Sequence, residues 1–374
     1  MREVLTFLLV FEISGSALQL GLTGLFQAVP SIFFGLIGGA LADSVDRKKL
    51  LIYTQAANVV SGVILAALVL SNNAEVWHLW LFTSFWSAVS VLGRPAQRAY
   101  IPRLVPASQM LNAITWHSSL SQGTLLAGPL AAGFIASWLG IGWAFFANSL
   151  VLTGALLAVF AIRAPGTPEG PPRKVSAGVI LEGIRFVRMQ EVLKAAMVMD
   201  LGVMSVGFLR PILPILALEV FEVGRAGLGV LGAAPAIGAV AGSLTLLAVG
   251  DFKRKGAVIV LAYAGYAMAM IILGLTPWIG LALVALAITG YMDVIAFTAK
   301  QALIQIVSPD QYRGRAASLS SILSVTGNGA GAMEMGALSA AFGAPGALII
   351  NSALALSMTG AITLRWMGLW RHES

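Results

Sequence analysis

Gly38-Gly39-Ala40-Leu41-Ala42-Asp43-Ser44-Val45-Asp46-Arg47-Lys48-Lys49 is the stretch that decides how this chain folds. To its left runs an apolar, glycine-rich segment from Ala17 to Ala42, and to its right another begins almost at once, Leu50 to Leu70. A helix needs roughly 20 apolar residues to cross a hydrocarbon core about 30 Å thick, and both segments reach that length. The turn between them carries Asp43, Asp46, Arg47, Lys48 and Lys49 and is too short to cross back. Both helix ends therefore emerge on one side, joined by a charged hairpin.

The same alternation of apolar run and basic turn extends outward over all 374 residues, of which 58% are hydrophobic and 10% charged. A water-soluble domain is about half apolar and a quarter charged, so the composition is that of an integral membrane protein. The runs are continuous and do not alternate every second residue, which specifies helices and excludes a barrel. A half-length first helix reaches Phe11, and the chain is expected to begin midway through it, with no signal-peptide cleavage site following. Full spans are expected at Ala17–Ala42, Leu50–Leu70, Trp77–Leu92, Asn112–Trp138 and Gly142–Ile162. A second set follows at Val192–Leu218, Leu228–Val249, Gly256–Leu275, Ile279–Ile306, Ala316–Phe342 and Ala344–Trp366. Between the sets lies a polar stretch holding Pro165, Pro168, Pro171 and Pro172 that turns mildly amphipathic around Ile180–Val187. The expected organisation is an N-terminal bundle over 1–162 with an incomplete first helix, a linker over 163–191 and a C-terminal bundle over 192–374.

Charge gives the expected orientation. Of the 23 basic residues, 20 fall in the hairpin after the second span, in Arg94–Arg103, Arg163–Lys194, Asp251–Lys255, Lys300–Arg315 and the tail Arg365–Arg371. The opposite loops, Ser71–Val76, Gly140–Ile141, Thr276–Trp278 and Gly343, have none. Cytoplasmic loops carry the Lys and Arg excess, so the basic face and the C-terminus are expected in the cytoplasm. The net charge of +7 then reports topology and not nucleic-acid binding. Trp77, Trp80, Trp138, Trp143 and Trp278 fall near the outer helix ends, where aromatic anchors belong.

A repeat is visible. Asp43 with its basic residues closes one span, and Asp251-Phe252-Lys253-Arg254-Lys255 closes another a little over 200 residues on. Pro102-Arg103-Leu104-Val105-Pro106-Ala107-Ser108-Gln109 is echoed by Ile306-Val307-Ser308-Pro309-Asp310-Gln311. Two six-helix halves of the same orientation would produce this.

Gly39-x-Leu41-Ala42-Asp43-x-x-Asp46-Arg47-Lys48 resembles the signature between the second and third helices of the major facilitator superfamily. Gly93-Arg94-Pro95-Ala96-Gln97-Arg98-Ala99, Pro102–Pro106, Glu12–Ala17 and Arg313-Gly314-Arg315 resemble its drug-efflux branch, which includes siderophore exporters of the enterobactin type. The hairpin departs from the wider pattern in having Asp46 in place of Gly and Ser44 where Arg is frequent. The resemblance implies an all-α membrane fold of two pseudo-symmetric six-helix bundles. It also implies a cytoplasmic gate built from Gly39, Asp43, Arg47, Lys48, Arg94 and Arg98. Read without the family, Asp43 ends a helix, where an anion is unfavourable, and needs a basic side chain or a helix N-terminus as partner. The alternative is a solvated loop whose charges only fix topology. Gly128-Pro129 and Gly133 resemble an antiporter Gly-Pro motif, and the same residues also make a kinked, closely packed helix.

Charges inside spans point to function, because exposing one to lipid costs about 2.5–3.5 kcal/mol or more. Asp200 and Arg210 lie in the seventh span, Asp293 and Lys300 in the tenth, and Glu334 in the eleventh. Thr289, Asp293, Phe297 and Lys300 share a helical face that is expected to look into a cavity. A carboxylate removed from water can take up a proton near neutrality, the chemistry of proton-coupled antiport. Structural Asp–Lys or Asp–Arg pairs are the alternative. Phe7, Phe11, Phe82, Phe85, Trp86, Phe208, Tyr266 and Phe297 are expected to offer an amphipathic substrate an apolar wall. The absence of cysteine excludes thiol chemistry and Cys-ligated metals, His78, His117 and His372 lack ligand spacing, and no phosphate-binding loop is present. The expectation is thus a non-enzymatic, monomeric efflux transporter of the bacterial inner membrane. It has no cofactor and uses the proton gradient, and its partners are lipid, protons and a small molecule. A non-transporting sensor, assembly partner or degenerate relative, and an importer on the same fold, are the alternatives.

Overall fold

The computed structural model of the chain describes residues 1–164, 166, 177–250 and 252–371, and the side chains among them except 36–44, 98–99, 107, 111, 177–181, 183, 369 and 371. The described residues are helical with no strand. The helices are α1 (Arg2–Ser14), α2 (Ala17–Ser44), α3 (Arg47–Leu70), α4 (Val76–Tyr100), α5 (Met110–Trp138), α6 (Ile141–Ala161) and α7 (Ala177–Met189). Then come α8 (Glu191–Gly207), α9 (Gly224–Val249), α10 (Lys255–Leu275), α11 (Ile279–Val307), α12 (Asp310–Arg365) and α13 (Met367–Arg371). Among the described residues nine helices are long and apolar enough to cross a membrane. The eleven expected full spans differ from this count for two reasons. The first half of α5 is a polar run, Asn112 to Thr124, and its exposed residues include His117, Ser118, Ser119 and Ser121. Helix α12 is counted once although it is broken at Gly343, whose φ of 73° and ψ of 163° are not helical. Asn351, eight residues after that break, donates to Glu334, nine before it, so the two limbs fold back on each other.

Contacts divide the chain into two units, Met1–Gly15 with Phe26–Val175, and Ser16–Leu25 with Ser176–Ser374. In the first unit the hairpin has a defined local structure. Asp46 caps α3 by accepting from the Lys49 amide at 3.0 Å, which gives the departure from the superfamily's glycine a reason: an Asp side chain satisfies an orphan N–H that Gly cannot. Lys48 Nζ donates to the carbonyls of Ile162 at 2.6 Å and Phe160 at 3.3 Å. An ammonium there meets the unsatisfied carbonyls and negative dipole end of α6. Tyr100 OH donates to Ala164 O at 2.6 Å and Arg47 N to Gly166 O at 2.8 Å. Leu51, Ala96 and Tyr100 are buried beneath, with Leu50, Val159, Ile162 and Ala164 packed around them. The ends of α3, α4 and α6 are thereby tied together. Toward the other end of α4, Ser87 donates to Gln27 O, and Phe26 stacks on Trp80 at 5.0 Å.

In the second unit the expected continuous seventh span is interrupted. Helix α8 stops at Gly207, and Arg210–Ile212, Leu213–Ile215 and Leu216–Val220 continue as a 3₁₀ turn, an α turn and a π turn. The cause is Pro211: its ring would clash with the carbonyl four residues back, and it has no N–H to give it. That carbonyl belongs to Gly207, and Tyr266 OH donates to it at 2.7 Å. Helices α9 and α11 meet backbone to backbone. A Cβ added at Gly238 or Gly290 would collide with the carbonyl of Ala287 or Pro235, and one at Gly242 would lie 2.9 Å from Tyr291 O. Small residues four apart permit this close approach. The start of α2 packs on α12 in the same manner, Gly21 against Gly336. Linker helix α7 docks on α12 through a flat stack of Phe186 on Tyr312 at 4.5 Å and a 2.5 Å ion pair between Glu182 and Arg315.

Candidate functional site

The second unit encloses one cluster of ionisable and hydroxyl side chains drawn from four helices. Asp200 on α8 pairs with Lys300 on α11, Oδ2 to Nζ 2.6 Å, and their side chains are 8% and 1% exposed. Tyr263 on α10 donates to Asp200 Oδ1 at 2.5 Å. Ser324 on α12 donates to Asp200 Oδ2 at 2.6 Å and accepts from Lys300 Nζ at 3.2 Å. Both carboxylate oxygens and the ammonium are thus satisfied, the condition under which a buried ion pair is tolerated. Lys300 Nζ also lies 5.8 Å from the Phe297 ring centroid. In the sequence this lysine counts toward a basic loop; the structure sets it two turns inside α11 and buries it, so it contributes nothing to topology.

The expected face of Thr289, Asp293, Phe297 and Lys300 divides. Asp293 and Phe297 are exposed in the middle, and Thr289 and Lys300 at the ends are buried. Lys300 is bonded to the carboxylate of another helix and not to Asp293. Arg210 is exposed on the turn after α8, with its guanidinium 5.9 Å from the Phe208 ring. Glu334 is partly buried and accepts from Asn351 at 2.7 Å across the fold in α12.

The gate residues are placed as follows. Gly39 and Asp43 lie in α2 and Arg98 in α4, with side chains outside the described residues, as is all of Asp251. Arg94 is exposed on α4, Arg47 opens α3, and Lys48 is the clamp on α6. Gly128, Pro129 and Gly133 sit within α5, where Pro129 interrupts the hydrogen-bond ladder. Of the expected aromatic wall, Phe7, Phe11, Trp86 and Tyr266 are buried, whereas Phe85 and Phe297 are exposed. Trp86 holds Ser61 by its indole N–H at 2.7 Å and carries the Arg2 guanidinium 4.4 Å above its ring. Sequence reasoning passed over Tyr263 and Ser324. A hydroxyl in an aliphatic helix was the available signal, and it is weak, because Ser and Thr in such helices usually bond their own backbone, as Ser352 does with Leu348 O.

Helices long and apolar enough to span a membrane, with a satisfied ion pair buried among four helices, define a polytopic membrane protein, and the solved structures it resembles are transporters of the major facilitator fold. A transporter of the POT family in complex with 5-aminolevulinic acid shares the fold at a TM-score of 0.78, with 11% identity, 98% of this chain and 93% of that one covered. The inward-open xylose transporter XylE from E. coli does so at 0.73, with 16% identity over 100% and 93%. The chain belongs to the transmembrane secretion effector family, whose model matches residues 1–372. It is 26% identical over 350 residues to the enterobactin exporter EntS of Escherichia coli strain K12, covering 91% of this chain and 82% of that protein.

Proposed function

We propose that this protein exports a small amphipathic molecule, drug-like or siderophore-like, across the bacterial inner membrane by alternating access driven by inward proton flow. The observation that carries the direction is the match of residues 1–372 to a family of secretion effectors. Proton coupling is supported by the ionisable groups in membrane helices. Such residues are expensive in lipid and mark substrate or ion pathways. Asp200, Arg210, Asp293, Lys300 and Glu334 are assigned to that pathway. The gradient is the energy source with no cofactor, the working unit is a monomer, and the basic loops and C-terminus face the cytoplasm.

Everted inner-membrane vesicles from producing cells provide the test, with ethidium and a catecholate siderophore as probes. Respiration should drive accumulation of at least one probe, and dissipating the pH gradient should abolish it. Accumulation that survives dissipation refutes proton coupling, and accumulation confined to right-side-out vesicles refutes export.

A further inference from the structure

We propose that Arg2 binds an anionic group of the transported molecule, a carboxylate or a phenolate, on a platform that α3 and α4 build at mid-depth of the first unit. The inference rests on the exporter reading above and narrows its substrate class to acidic amphipathic molecules.

Position is the first observation. Arg2 is one of three basic residues that fall outside the basic loops. Its guanidinium donates from Nη1 to Asn58 Oδ1 at 3.1 Å and lies 4.4 Å above the Trp86 ring. Asn58 is the twelfth of the 24 residues of α3, and Trp86 the eleventh of the 25 of α4. The charge therefore sits halfway along both spans. A cation is most costly at that depth, and transporters bind their substrates there.

The platform beneath the guanidinium is fully bonded. Asn58 Nδ2 donates to Thr54 O at 2.9 Å, which turns Oδ1 toward Arg2. The Trp86 indole donates to Ser61 Oγ at 2.7 Å, and Ser61 donates its own hydrogen to Ala57 O at 2.6 Å. Asn58, Ser61 and Trp86 are all buried. Arg2 is the member with capacity to spare. A guanidinium has five N–H donors in a rigid fork, and the bond to Asn58 uses one. Among the described residues no carboxylate forms an ion pair with it, Glu3 next along α1 included. None of its nitrogens is both sealed from solvent and unbonded, so the spare donors open onto accessible space.

A neutral amide and an aromatic face stabilise a cation but leave its charge unbalanced. Charges withdrawn from water are paired, and here the pairing group is left to arrive from outside. The fork matches the two oxygens of a carboxylate, or the adjacent oxygens of a catecholate, by parallel hydrogen bonds. The same charge repels a cation, so of the two vesicle probes the catecholate is the one expected to accumulate.

The experiment is binding to the purified full-length protein in phosphatidylcholine nanodiscs at neutral pH, read as quenching of tryptophan fluorescence. The probes are naphthoate and its neutral isostere naphthamide. Wild type should bind naphthoate about tenfold tighter than naphthamide or better, the lower end of what a hydrogen bond to a charged group contributes. Arg2→Gln should bring naphthoate down to the naphthamide affinity and leave naphthamide unchanged. Asn58→Asp puts a carboxylate oxygen where Asn58 Oδ1 accepts from Arg2. It should erase the preference with the arginine still in place, and it decides the matter if Arg2→Gln fails to fold. An arginine with a structural role alone would lose both probes together or neither. Naphthoate that fails to bind wild type, binds it no better than naphthamide, or keeps its preference in either folded variant overturns the proposal. So does loss of both probes together in both variants, or accumulation of ethidium in preference to the catecholate. No gradient enters the binding measurement. An absent preference with vesicle accumulation intact strikes the anion site alone, and a clear preference without accumulation strikes the exporter reading alone.

Discussion

Replacing Gly290 by Ala should destabilise this protein, against the ordinary trend for a glycine inside a helix. Ala is favoured over Gly by about 1 kcal/mol in helix propensity, so an open site should gain. Gly290 is not open. A methyl group there would collide with the Pro235 carbonyl and the backbone behind it, and Gly238 faces Ala287 across the same seam. Backbone cannot turn aside as a side-chain tip can, so α9 and α11 would have to part by on the order of 1 Å, forfeiting a quarter to a half of the dispersion at each contact. Overpacking costs typically about 1–3 kcal/mol, and the rigid neighbour places this site near the upper end. The net expectation is a loss of about 2 kcal/mol, or roughly 4–8 °C in the apparent melting temperature for a unit of some 200 residues. Gly154→Ala on α6 is the control, since nothing lies within 4 Å of its added methyl, and it should be neutral or stabilising by up to about 1 kcal/mol. Thermal unfolding of the full chain in detergent, followed by light scattering, compares the three proteins. A Gly290→Ala variant melting at or above wild type would refute the close-seam reasoning. Because α11 carries Asp293 and Lys300, the same substitution should also lower transport more than it lowers the amount of folded protein.

Lys300→Met should cost about 3–5 kcal/mol by leaving Asp200 buried and unpaired, and Asp200→Asn/Lys300→Met should recover most of that loss; melting of the two variants side by side checks it, and equal losses would count against the pairing. Lys48→Met should lower stability by about 0.3–2 kcal/mol through loss of the cation on the C-terminal carbonyls of α6, and high salt should not abolish the difference between variant and wild type if the clamp is partly buried. Phe186→Ala should remove about 1 kcal/mol of stacking on Tyr312 and loosen α7, seen as faster tryptic cleavage at Arg185 and Arg188; an unchanged rate would show that the Glu182–Arg315 pair suffices. A C-terminal green fluorescent protein fusion should be fluorescent and a C-terminal alkaline phosphatase fusion inactive, and the reverse pattern would overturn the cytoplasmic tail.

The helices and the family were legible in the sequence, because a span is a local property. Twenty apolar residues in a row, or a charged turn such as Asp43–Lys49, need no knowledge of what lies beside them. Partial departures had local causes too. Pro211 stops α8 by removing one donor, but only the structure shows Tyr266 taking up the freed Gly207 carbonyl. The face drawn through Asp293 and Lys300 was sound as helix geometry but could not say which carboxylate Lys300 would meet. Helical periodicity tells which residues point the same way along one helix, not how that helix is rotated against its neighbours. Lys300 found Asp200, 100 residues distant, and Ser324 and Tyr263 closed around them from two further helices. Lys48 likewise reads as a gate charge in its motif, yet it clamps the end of α6, 112 residues from it at Phe160 O. By itself, then, the sequence determined the membrane-spanning helices, their expected orientation and the family motifs. The tertiary structure alone decided which buried charges meet, because in a low-dielectric interior a charge is tolerated only where a partner from another helix arrives within hydrogen-bonding distance.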